Sequence, residues 1–567
     1  MDQEQTTEPL ITVSGKSIRI GGPLPELREK EQLIRKTTSI CPTCYRLLPA
    51  IIFEREGKAF IRRVCPKHGE IEEIYWADAE YLRRAMKYET KGVRVSENVE
   101  VSGPCPFSCG LCSMHQNSTA LANLVVTNRC DFSCWYCFFY AEKAGYVYEP
   151  TIEEIREMIR VLRSQRPVKP NAVQITGGEP LLREDLVEIV KTLREEGITH
   201  IQLNTNGIRL AYDVELMANL RRAGVNTLYL SFDAVDPEIN VKNHWEIPYI
   251  LDNARKTRTT SIVLVPTVIK GWNDHELGNI IKFASLNIDI IRGVNFQPVS
   301  IVGQVPKEKR KEIRITIPEV IRAIEEQTDG QIPMDAWYPI PFASVLSDFV
   351  EALTGNPVIR FSNHPACGMA TYVFPEFEVV NGQRKLKRLI PITEFVDVAG
   401  LYEYLKEKTE ELRAGANKKW ILAKVIAKLP RLIDRKKQPK GLNLFRLIAD
   451  IFIRRNYDAL GKFHDIALFL GMMHFMDTYN YDVQRVMRCN IHYLSPDGRI
   501  IPFCAYNVLP DLYRDYIMRN HSMSLEDYAK MFGRDKVGEA IKYKRDVKSL
   551  SSSEIYKKTY APFLKPH

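Results

Sequence analysis

Long apolar runs are absent from this sequence. No stretch approaches the eighteen or more apolar residues that a membrane-spanning helix requires, so we expect no transmembrane segment. The first residues, "MDQEQTTEPL", are acidic and polar and do not resemble a secretory signal peptide. Repeats at solenoid spacing are also absent. We therefore expect an intracellular protein, and its 567 residues are enough for several domains.

The cysteines are unevenly placed. Nine of the twelve fall within residues 41–137, at short spacings that are typical of metal sites. Disulfide bonds are unusual for such clusters in a large protein without a signal peptide. The sequence therefore predicts several metal centres and not a disulfide framework.

Strand and helix patterns alternate from about residue 121 to residue 300. Six short strands, nearly continuous in apolar residues, are separated by five amphipathic helices, the first of which opens with a capping box of Thr151 and Glu154. This α/β pattern predicts a parallel sheet covered by helices. A partial (βα)6 barrel and a doubly wound sheet both fit, because periodicity does not distinguish them.

The stretch "VTNRCDFSCWYCFFY" places Cys130, Cys134 and Cys137 in a C-x3-C-x2-C spacing directly after the first of these strands. Loops at the carboxyl ends of barrel strands carry the chemistry of such folds. Three thiolates can hold three irons of a [4Fe–4S] cluster and leave the fourth iron open. A zinc site completed by a distant histidine is the alternative that the residues alone leave.

This motif, with the aromatic Tyr136 before its last cysteine, resembles the signature of radical S-adenosylmethionine (SAM) enzymes. The resemblance implies a partial (βα)6 TIM-like barrel in which the open iron binds SAM and the reduced cluster generates a 5′-deoxyadenosyl radical. "TGGEP", after the second strand, resembles the family's GGE motif. The implied cofactor-binding residues are Tyr136, Gly177, Gly178, Glu179, Asn204, Ser231, Asp233, Asn295 and Gln297.

Two knuckles, "CPTC" and "CPKH", lie about twenty residues apart near the N-terminus. They predict a tetrahedral site for one mononuclear metal, with the ligands Cys41, Cys44, Cys65 and His68. Zinc and a rubredoxin-like iron are both compatible with these ligands.

Two further cysteine groups predict two auxiliary [4Fe–4S] clusters. "CPFSCGLC" repeats the C-x3-C-x2-C spacing without the strand and GGE context; zinc and a substrate-facing cluster are its alternatives, and its fourth ligand is unassigned. "LSPDGRIIPFC" resembles the auxiliary-cluster segments of radical enzymes, with ordinary buried thiols as the alternative. The residues concerned are Cys105, Cys109 and Cys112 in the first group, and Cys367, Cys489 and Cys504 in the second.

These features divide the chain into six predicted regions. They are a polar lead-in (1–35), a metal-knuckle domain (36–90), an auxiliary-cluster segment (91–120), the radical SAM core (121–310), a linker with a basic amphipathic helical region (311–480) and a C-terminal, largely helical auxiliary-cluster region (481–567).

The basic region concentrates the charge of the protein. Residues 417–465 contain thirteen Lys or Arg against four Asp, whereas the net charge of the whole chain is +9. Basic amphipathic helices bind anionic membrane surfaces, and this predicts a peripheral protein at the inner face of the membrane. A surface helix packed on the barrel is the alternative. No aromatic-interleaved pattern suggests nucleic-acid binding.

In the order of its cysteines and in its domain layout, the whole chain resembles the archaeal tetraether lipid synthases. That resemblance implies an archaeal ether lipid as substrate, with carbon–carbon coupling of two phytanyl chain ends and a low-potential electron donor as a partner. Methylation of a dihydropterin in methanopterin biosynthesis is the alternative. A non-catalytic metal-cluster protein that binds nucleic acid is a third hypothesis, which the GGE motif disfavours.

Overall fold

The computed structural model describes residues 9–139, 144–258, 261–380, 382–444 and 463–563. The strands in these ranges are β1 (Leu10–Val13), β2 (Lys16–Arg19), β3 (Gln32–Ile40), β4 (Leu47–Arg55), β5 (Lys58–Cys65), β6 (Gly69–Trp76), β7 (Leu121–Thr127), β8 (Tyr146–Val147), β9 (Ala172–Gly177), β10 (His200–Thr205), β11 (Thr227–Ser231), β12 (Ile262–Val265), β13 (Thr267–Val268), β14 (Ile291–Pro298), β15 (Tyr338–Pro339), β16 (Gly368–Val380), β17 (Gln383–Pro391), β18 (Leu468–Met473), β19 (Ile491–Leu494), β20 (Ile500–Pro502) and β21 (Met523–Ser524).

The α-helices in the same ranges lie mainly between the strands of the core and after them. They are α1 (Ala79–Met86), α2 (Ile152–Arg163), α3 (Leu186–Glu195), α4 (Ile208–Tyr212), α5 (Val214–Ala223), α6 (Ile247–Lys256), α7 (Leu277–Leu286), α8 (Arg310–Ile313), α9 (Ile317–Gln327), α10 (Ser344–Thr354), α11 (Val398–Arg413), α12 (Lys418–Leu432), α13 (Val483–Met487), α14 (Phe503–Val508), α15 (Arg514–Asn520), α16 (Leu525–Phe532), α17 (Val547–Ser552) and α18 (Glu554–Tyr560).

The N-terminal unit is a four-stranded antiparallel sheet in the order β3-β4-β5-β6. Its turns place the two predicted knuckles at one end, since "CPTC" follows β3 and "CPKH" joins β5 to β6. The buried Arg63 side chain of β5 donates to the backbone oxygens of Thr478 and Tyr479 at 2.8 and 2.6 Å. This contact fastens the unit to the C-terminal part of the chain.

The core is a parallel sheet whose strands follow one another in chain order, β7-β9-β10-β11-β12-β14. Consecutive order is that of a barrel, because a doubly wound sheet reverses its order part-way. Pro266 separates β12 from β13 and interrupts the fifth predicted strand. The six predicted strands and the partial TIM-like barrel are therefore confirmed, and the doubly wound alternative is excluded.

Two strands that the sequence did not suggest extend this sheet. β18 pairs in parallel with β14, and β19 pairs in parallel with β7, so eight parallel strands lie side by side. Antiparallel strands β16 and β20 border the two ends. Among the described residues, β18 and β19 share no ladder with each other, so the barrel is open on this side.

Helices cover the outer face of the sheet because their apolar positions recur at helical spacing. α2 buries Ile155, Met158, Ile159 and Leu162, and its predicted capping box is present. α12, in the basic region, buries Ile421 and Val425 against α10 and α11. The apolar face of α12 is thus covered inside the molecule, but by α10 and α11 and not by the barrel, which was the predicted alternative to membrane docking.

No helix of the described residues is both long and apolar enough to cross a membrane. In the region predicted at 311–480 as a linker with basic helices, α11 and α12 are helical as expected, whereas 468–473 forms β18. The part of the basic region from residue 445 to residue 462, which contains Arg454 and Arg455, lies outside the described residues.

Candidate active site and metal centres

The three-cysteine loop begins where β7 ends, at the carboxyl end of the parallel sheet. Cys130, Cys134 and Cys137 line a cavity of about 220 Å³ together with residues from the ends of the other core strands. Burial raises the pKa of all three thiols, that of Cys137 to about 11. Bare thiols in such surroundings are held protonated, and bound iron favours their thiolate forms. Three sulfur donors facing one cavity fit a [4Fe–4S] cluster with an open iron.

The glycines of "TGGEP" let two backbone segments touch. A side chain at Gly177 would place its Cβ 2.1 Å from the backbone oxygen of Thr127, and one at Gly178 would come within 2.0 Å of the Arg129 oxygen. In their place, Gly178 and Glu179 donate backbone hydrogen bonds to Thr127 and Arg129, each at 2.8 Å. The second strand end therefore fixes the start of the cysteine loop.

Glu179 is buried and held by three donors. Its Oε1 accepts from Thr205 Oγ1 at 2.7 Å and from the Leu181 amide at 2.9 Å, and its Oε2 accepts from the Asn206 amide at 2.7 Å. Burial, with the nearby Asp131 carboxylate, raises the pKa of Glu179 to about 8. A cationic or amino ligand in the cavity would favour its ionised form.

Asp233 is engaged by its own neighbours. Its Oδ2 lies 3.0 Å from the Lys242 ammonium and accepts a hydrogen bond from Tyr136, while Oδ1 accepts from the Thr267 amide at 3.1 Å. Asp233, which was predicted to bind the cofactor, is not among the residues that line the cavity. It holds Lys242 in place, and Lys242 lines the cavity. Burial opposes the charged form of Lys242, but the Asp233 carboxylate outweighs it and the pKa of Lys242 is raised.

The other predicted cofactor-binding residues converge on the same cavity. Those that line it are Tyr136, Gly177, Gly178, Glu179, Asn204, Ser231, Asn295 and Gln297. Sequence reasoning missed Lys242, which stands in the loop after β11 where no motif marks it, and Lys542. The ammonium of Lys542 donates to the Cys130 backbone oxygen at 3.2 Å from the C-terminal part of the chain.

Amide side chains line the cavity on its strand side. Gln174 Nε2 donates to Asn123 Oδ1 at 3.0 Å, and Asn204 Nδ2 donates to Thr176 Oγ1 at 3.2 Å. Asn123 Nδ2 is buried and has no hydrogen-bond partner within the described part of the chain. This arrangement offers a ligand neutral donors and acceptors in addition to the apolar wall formed by residues such as Phe475.

The predicted mononuclear site is assembled. Cys41, Cys44, Cys65 and His68 bring one ligand atom each to within 4.8 Å of one another. The Cys44 and Cys65 sulfurs are 3.9 Å apart, and His68 Nδ1 lies 3.3 Å from the Cys41 sulfur and 3.5 Å from that of Cys65. Tetrahedral bonds of about 2.3 Å put two sulfurs about 3.8 Å apart. The four residues therefore fit zinc or iron.

Cys105, Cys109 and Cys112 line a second, small cavity, and His115 lines it with them. None of these three cysteines is among the residues that line the cavity of Cys130, Cys134 and Cys137, which is the larger of the two cysteine-lined cavities and is called the large cavity below. Burial raises the pKa of Cys112. The pKa of Cys105 is also raised, mainly by the neighbouring Cys109 thiol and then by burial. The predicted cysteine group is thus brought together away from the large cavity.

The third group comes from three distant segments. Cys367 precedes β16, Cys489 precedes β19 and Cys504 follows β20, so all three lie near the open side of the barrel. Burial raises the pKa of Cys504 to about 11, and the nearby Cys367 contributes to this. The buried Arg485 donates to the Cys367 sulfur at 3.4 Å. Cys504 also lines the large cavity.

Two family models match this chain. The model of the radical SAM superfamily covers residues 124–284, and the model of the HMPTM N-terminal zinc ribbon domain covers residues 33–77. The first range contains the three-cysteine loop and the GGE motif, and the second contains the mononuclear site.

Relatives extend the match to most of the chain. The 7,8-dihydro-6-hydroxymethylpterin dimethyltransferase of Methanocaldococcus jannaschii is 43% identical over 505 residues, which are 88% of this chain and 97% of that protein. GTP 3′,8-cyclase of Limosilactobacillus fermentum is 31% identical over 29% of this chain and 51% of its own length. The crystal structure of HydG, a maturase of the [FeFe]-hydrogenase, matches with a TM-score of 0.30 and 15% identity over 37% of this chain and 50% of that one.

The first of these relatives corrects two predictions. The predicted ether-lipid substrate, with the coupling of phytanyl chains and the membrane surface as partners, is wrong because the relative that matches nearly the whole chain is named for a dihydropterin. The resemblance to tetraether lipid synthases rested on cysteine order and domain layout, and these do not fix a substrate. Identity and coverage of this extent show that the chain belongs to the radical SAM superfamily, in the family of the pterin dimethyltransferase of M. jannaschii.

Proposed function

We propose that this chain is a radical SAM methyltransferase that acts on a 7,8-dihydropterin. The observation that carries the proposal is the 43% identity to the pterin dimethyltransferase over 88% of the chain. The cavity supports it, because thiols, amides and apolar side chains line one space of about 220 Å³. A compact heterocycle needs both an apolar wall and a few placed polar groups.

In this proposal, Cys130, Cys134 and Cys137 hold the [4Fe–4S] cluster whose open iron binds SAM. When bound, the reduced cluster and SAM supply one electron, a 5′-deoxyadenosyl radical and the methyl groups. Gly177 and Gly178, which line the cavity, lie beside SAM, and Glu179 accepts a hydrogen bond from its amino group. Lys242, held by Asp233, supplies positive charge beside the thiolates.

The amides are proposed to recognise the pterin. A neutral pterin presents alternating donors and acceptors along its pyrimidinone edge, and a primary amide offers one of each. Asn123 has a buried donor without a partner in the described ranges, next to Gln174. Asn295, which donates to Tyr229, and Asn204 stand on other strands around the same space; we propose that they face the pterin and not, as the family resemblance implies, SAM. These positions suit a pterin ring bound between the strand ends and the loop that carries Cys130, Cys134 and Cys137.

The remaining metal centres are part of the proposal. Cys105, Cys109 and Cys112 hold one auxiliary [4Fe–4S] cluster, and Cys367, Cys489 and Cys504 hold another. The mononuclear site, in the range matched by the zinc ribbon model, holds zinc or iron. We propose the six predicted regions as the organisation of the chain, with the radical SAM core at 121–310 and two further strands of its sheet, β18 and β19, supplied by the later regions.

The test is a turnover experiment on the anaerobically reconstituted full-length protein. We expect dithionite, SAM and 7,8-dihydro-6-hydroxymethylpterin to yield 5′-deoxyadenosine and pterin products heavier by one and two methyl groups. Cys134→Ala should abolish both. Formation of 5′-deoxyadenosine without any methylated pterin would retain the radical chemistry and reject the substrate.

A further inference from the structure

The segment that carries the second cysteine group is clamped beside the segment that carries Cys489. Gln116 and Ala120 donate backbone hydrogen bonds to the oxygens of Met487 and Asn490 at 2.7 and 2.8 Å. Asn117 Nδ2 adds a side-chain bond to the Arg488 oxygen at 3.1 Å. His115 therefore stands in a fixed position, three residues after Cys112.

The hydrogen bonds of His115 determine which ring nitrogen carries its proton. Its Nε2 lies 2.8 Å from the backbone oxygen of Cys489, and a carbonyl oxygen only accepts. A neutral imidazole has one N–H, and here it must be on Nε2.

The neighbouring His492 agrees with this assignment. Its Nε2 lies 3.1 Å from His115 Nε2, and only one hydrogen can lie between these two atoms. If His115 supplies that hydrogen, the single N–H of neutral His492 is on Nδ1. This atom lies 2.9 Å from Thr119 Oγ1, which can accept a hydrogen bond from it. Within the described ranges no hydrogen bond reaches His115 Nδ1, so this atom keeps a free lone pair on a ring that is 6% exposed.

We propose that His115 Nδ1 is the fourth ligand of the auxiliary cluster held by Cys105, Cys109 and Cys112. His115 lines the same small cavity as the three thiols, and its backbone amide donates to the Cys112 oxygen at 2.9 Å. Metal-bound histidines characteristically donate their other N–H to a carbonyl oxygen, as Nε2 does here. The inference rests on the proposed auxiliary cluster.

Complete protein ligation also suits the surroundings of this cluster. Within the described ranges its three cysteines do not line the large cavity, where SAM and pterin are proposed to bind. An open iron in the small cavity would face protein atoms such as Met487 and Pro502. A fourth protein ligand leaves this cluster without a free position and separates its role from that of the cluster that binds SAM.

Pulsed EPR of the reduced holoprotein without SAM tests the ligand directly. We expect a ¹⁴N hyperfine coupling from histidine in the spectrum of the unlabelled protein. Labelling the protein with ¹⁵N-histidine should replace it with a ¹⁵N coupling. The coupling should vanish in His115→Gln and in His115→Cys and persist in His492→Gln, the matched control 3.1 Å away. His115→Cys should keep the full iron content and shift the cluster to a lower reduction potential, because a thiolate replaces a neutral ligand.

The outcomes separate the ligand from the cluster. His115 is rejected as the ligand if the coupling persists in His115→Gln. It is also rejected if the wild-type protein shows no coupling although its iron content falls when Cys105, Cys109 and Cys112 are replaced by alanine. An iron content unchanged by those three alanines rejects the auxiliary cluster itself, and with it the inference, while the proposed methyltransferase remains.

Discussion

The ammonium group of Lys242 lies 3.0 Å from the carboxylate of Asp233, at the side of the loop that carries Cys134 and Cys137. The Asp233 side chain is 1% exposed, so an unpaired charge there would be costly. The positive charge of Lys242 also lowers the pKa of both thiols, although burial acts more strongly in the opposite direction.

We expect Lys242→Gln to destabilise the protein by about 3 kcal/mol, because it leaves Asp233 buried without its partner. It should also lower the reduction potential of the SAM-binding cluster, identified in an EPR-monitored titration by its response to SAM. Lys256→Gln, which removes an exposed lysine paired with Asp252, is the control and should change stability by less than about 0.5 kcal/mol.

The double variant Lys242→Gln/Asp233→Asn distinguishes the two effects. It should recover part of the lost stability, since no charge is left unpaired. Denaturant unfolding that shows equal losses for the single and the double variant would contradict the buried ion pair as the cause.

The affinity for SAM should depend on the ionisation of Glu179. Because burial and Asp131 raise the pKa of Glu179 to about 8, its carboxyl group is protonated at pH 6.5 and ionises as the pH rises through 8. Only the ionised form can accept a hydrogen bond at both oxygens while it offsets a cationic ligand. Affinity should therefore rise from pH 6.5 to pH 8.5, by up to about tenfold per pH unit below the pKa.

Glu179→Gln isolates this contribution from the titration of SAM itself. The variant should bind SAM at least about tenfold more weakly at pH 8, as expected when a hydrogen bond to a charged group is lost. Its affinity should also rise less steeply with pH. Calorimetric titrations that give parallel pH profiles for the wild type and the variant would show that Glu179 does not titrate on binding.

Gly178→Ala should displace the cysteine loop. The added Cβ would lie 2.0 Å from the Arg129 oxygen and 2.9 Å from the Asn128 oxygen, distances that real contacts do not show. Because the obstacle is backbone, the loop must move as a whole. We expect loss of the SAM-induced EPR change with little loss of auxiliary-cluster iron, and normal SAM binding would contradict the close packing of the two strand ends.

Removal of the mononuclear metal should unfold the N-terminal sheet locally. The strands β3 to β6 surround a small core in which Cys41 and Cys65 are themselves buried residues. His68→Ala should lose one metal equivalent and the hydrogen-exchange protection of residues 33–77, since structural metal sites supply folding free energy. The exposed His275 offers a control, because His275→Ala should retain both. Full protection in metal-free His68→Ala would mean that the sheet folds without its metal.

The sequence was sufficient for the core of this fold because its signals are local. Each predicted strand is a short apolar run, and Cys130 and Glu179 follow strand ends at recognisable spacings. β18 and β19 were missed for the opposite reason. β19 has four residues and pairs with β7 across some 370 positions of the chain, so its identity as a core strand depends on contacts that no local pattern records.

The same limit explains the errors at the site. Lys242 stands in a loop, and its importance appears only once Asp233 is seen beside it. The amphipathic pattern of α12 correctly indicated a helix with one apolar face, but not what covers that face; Ile421 and Val425 meet α10 and α11. Motifs predict a role for the cysteines, whereas the substrate depends on cavity shape, which separate strands create together.

The gap between β18 and β19 gives the third cysteine group, Cys367, Cys489 and Cys504, a structural role in addition to a redox one. The backbone oxygen of Cys367 accepts from the amide of His474, directly after β18, while Cys489 and Cys504 flank β19 and β20 on the opposite margin. A cluster bound to all three would act as a clasp between margins that no ladder joins in the described chain. Oxidative loss of that cluster would then loosen the wall of the large cavity. Oxygen would therefore damage the shape of the active site as well as its redox chemistry.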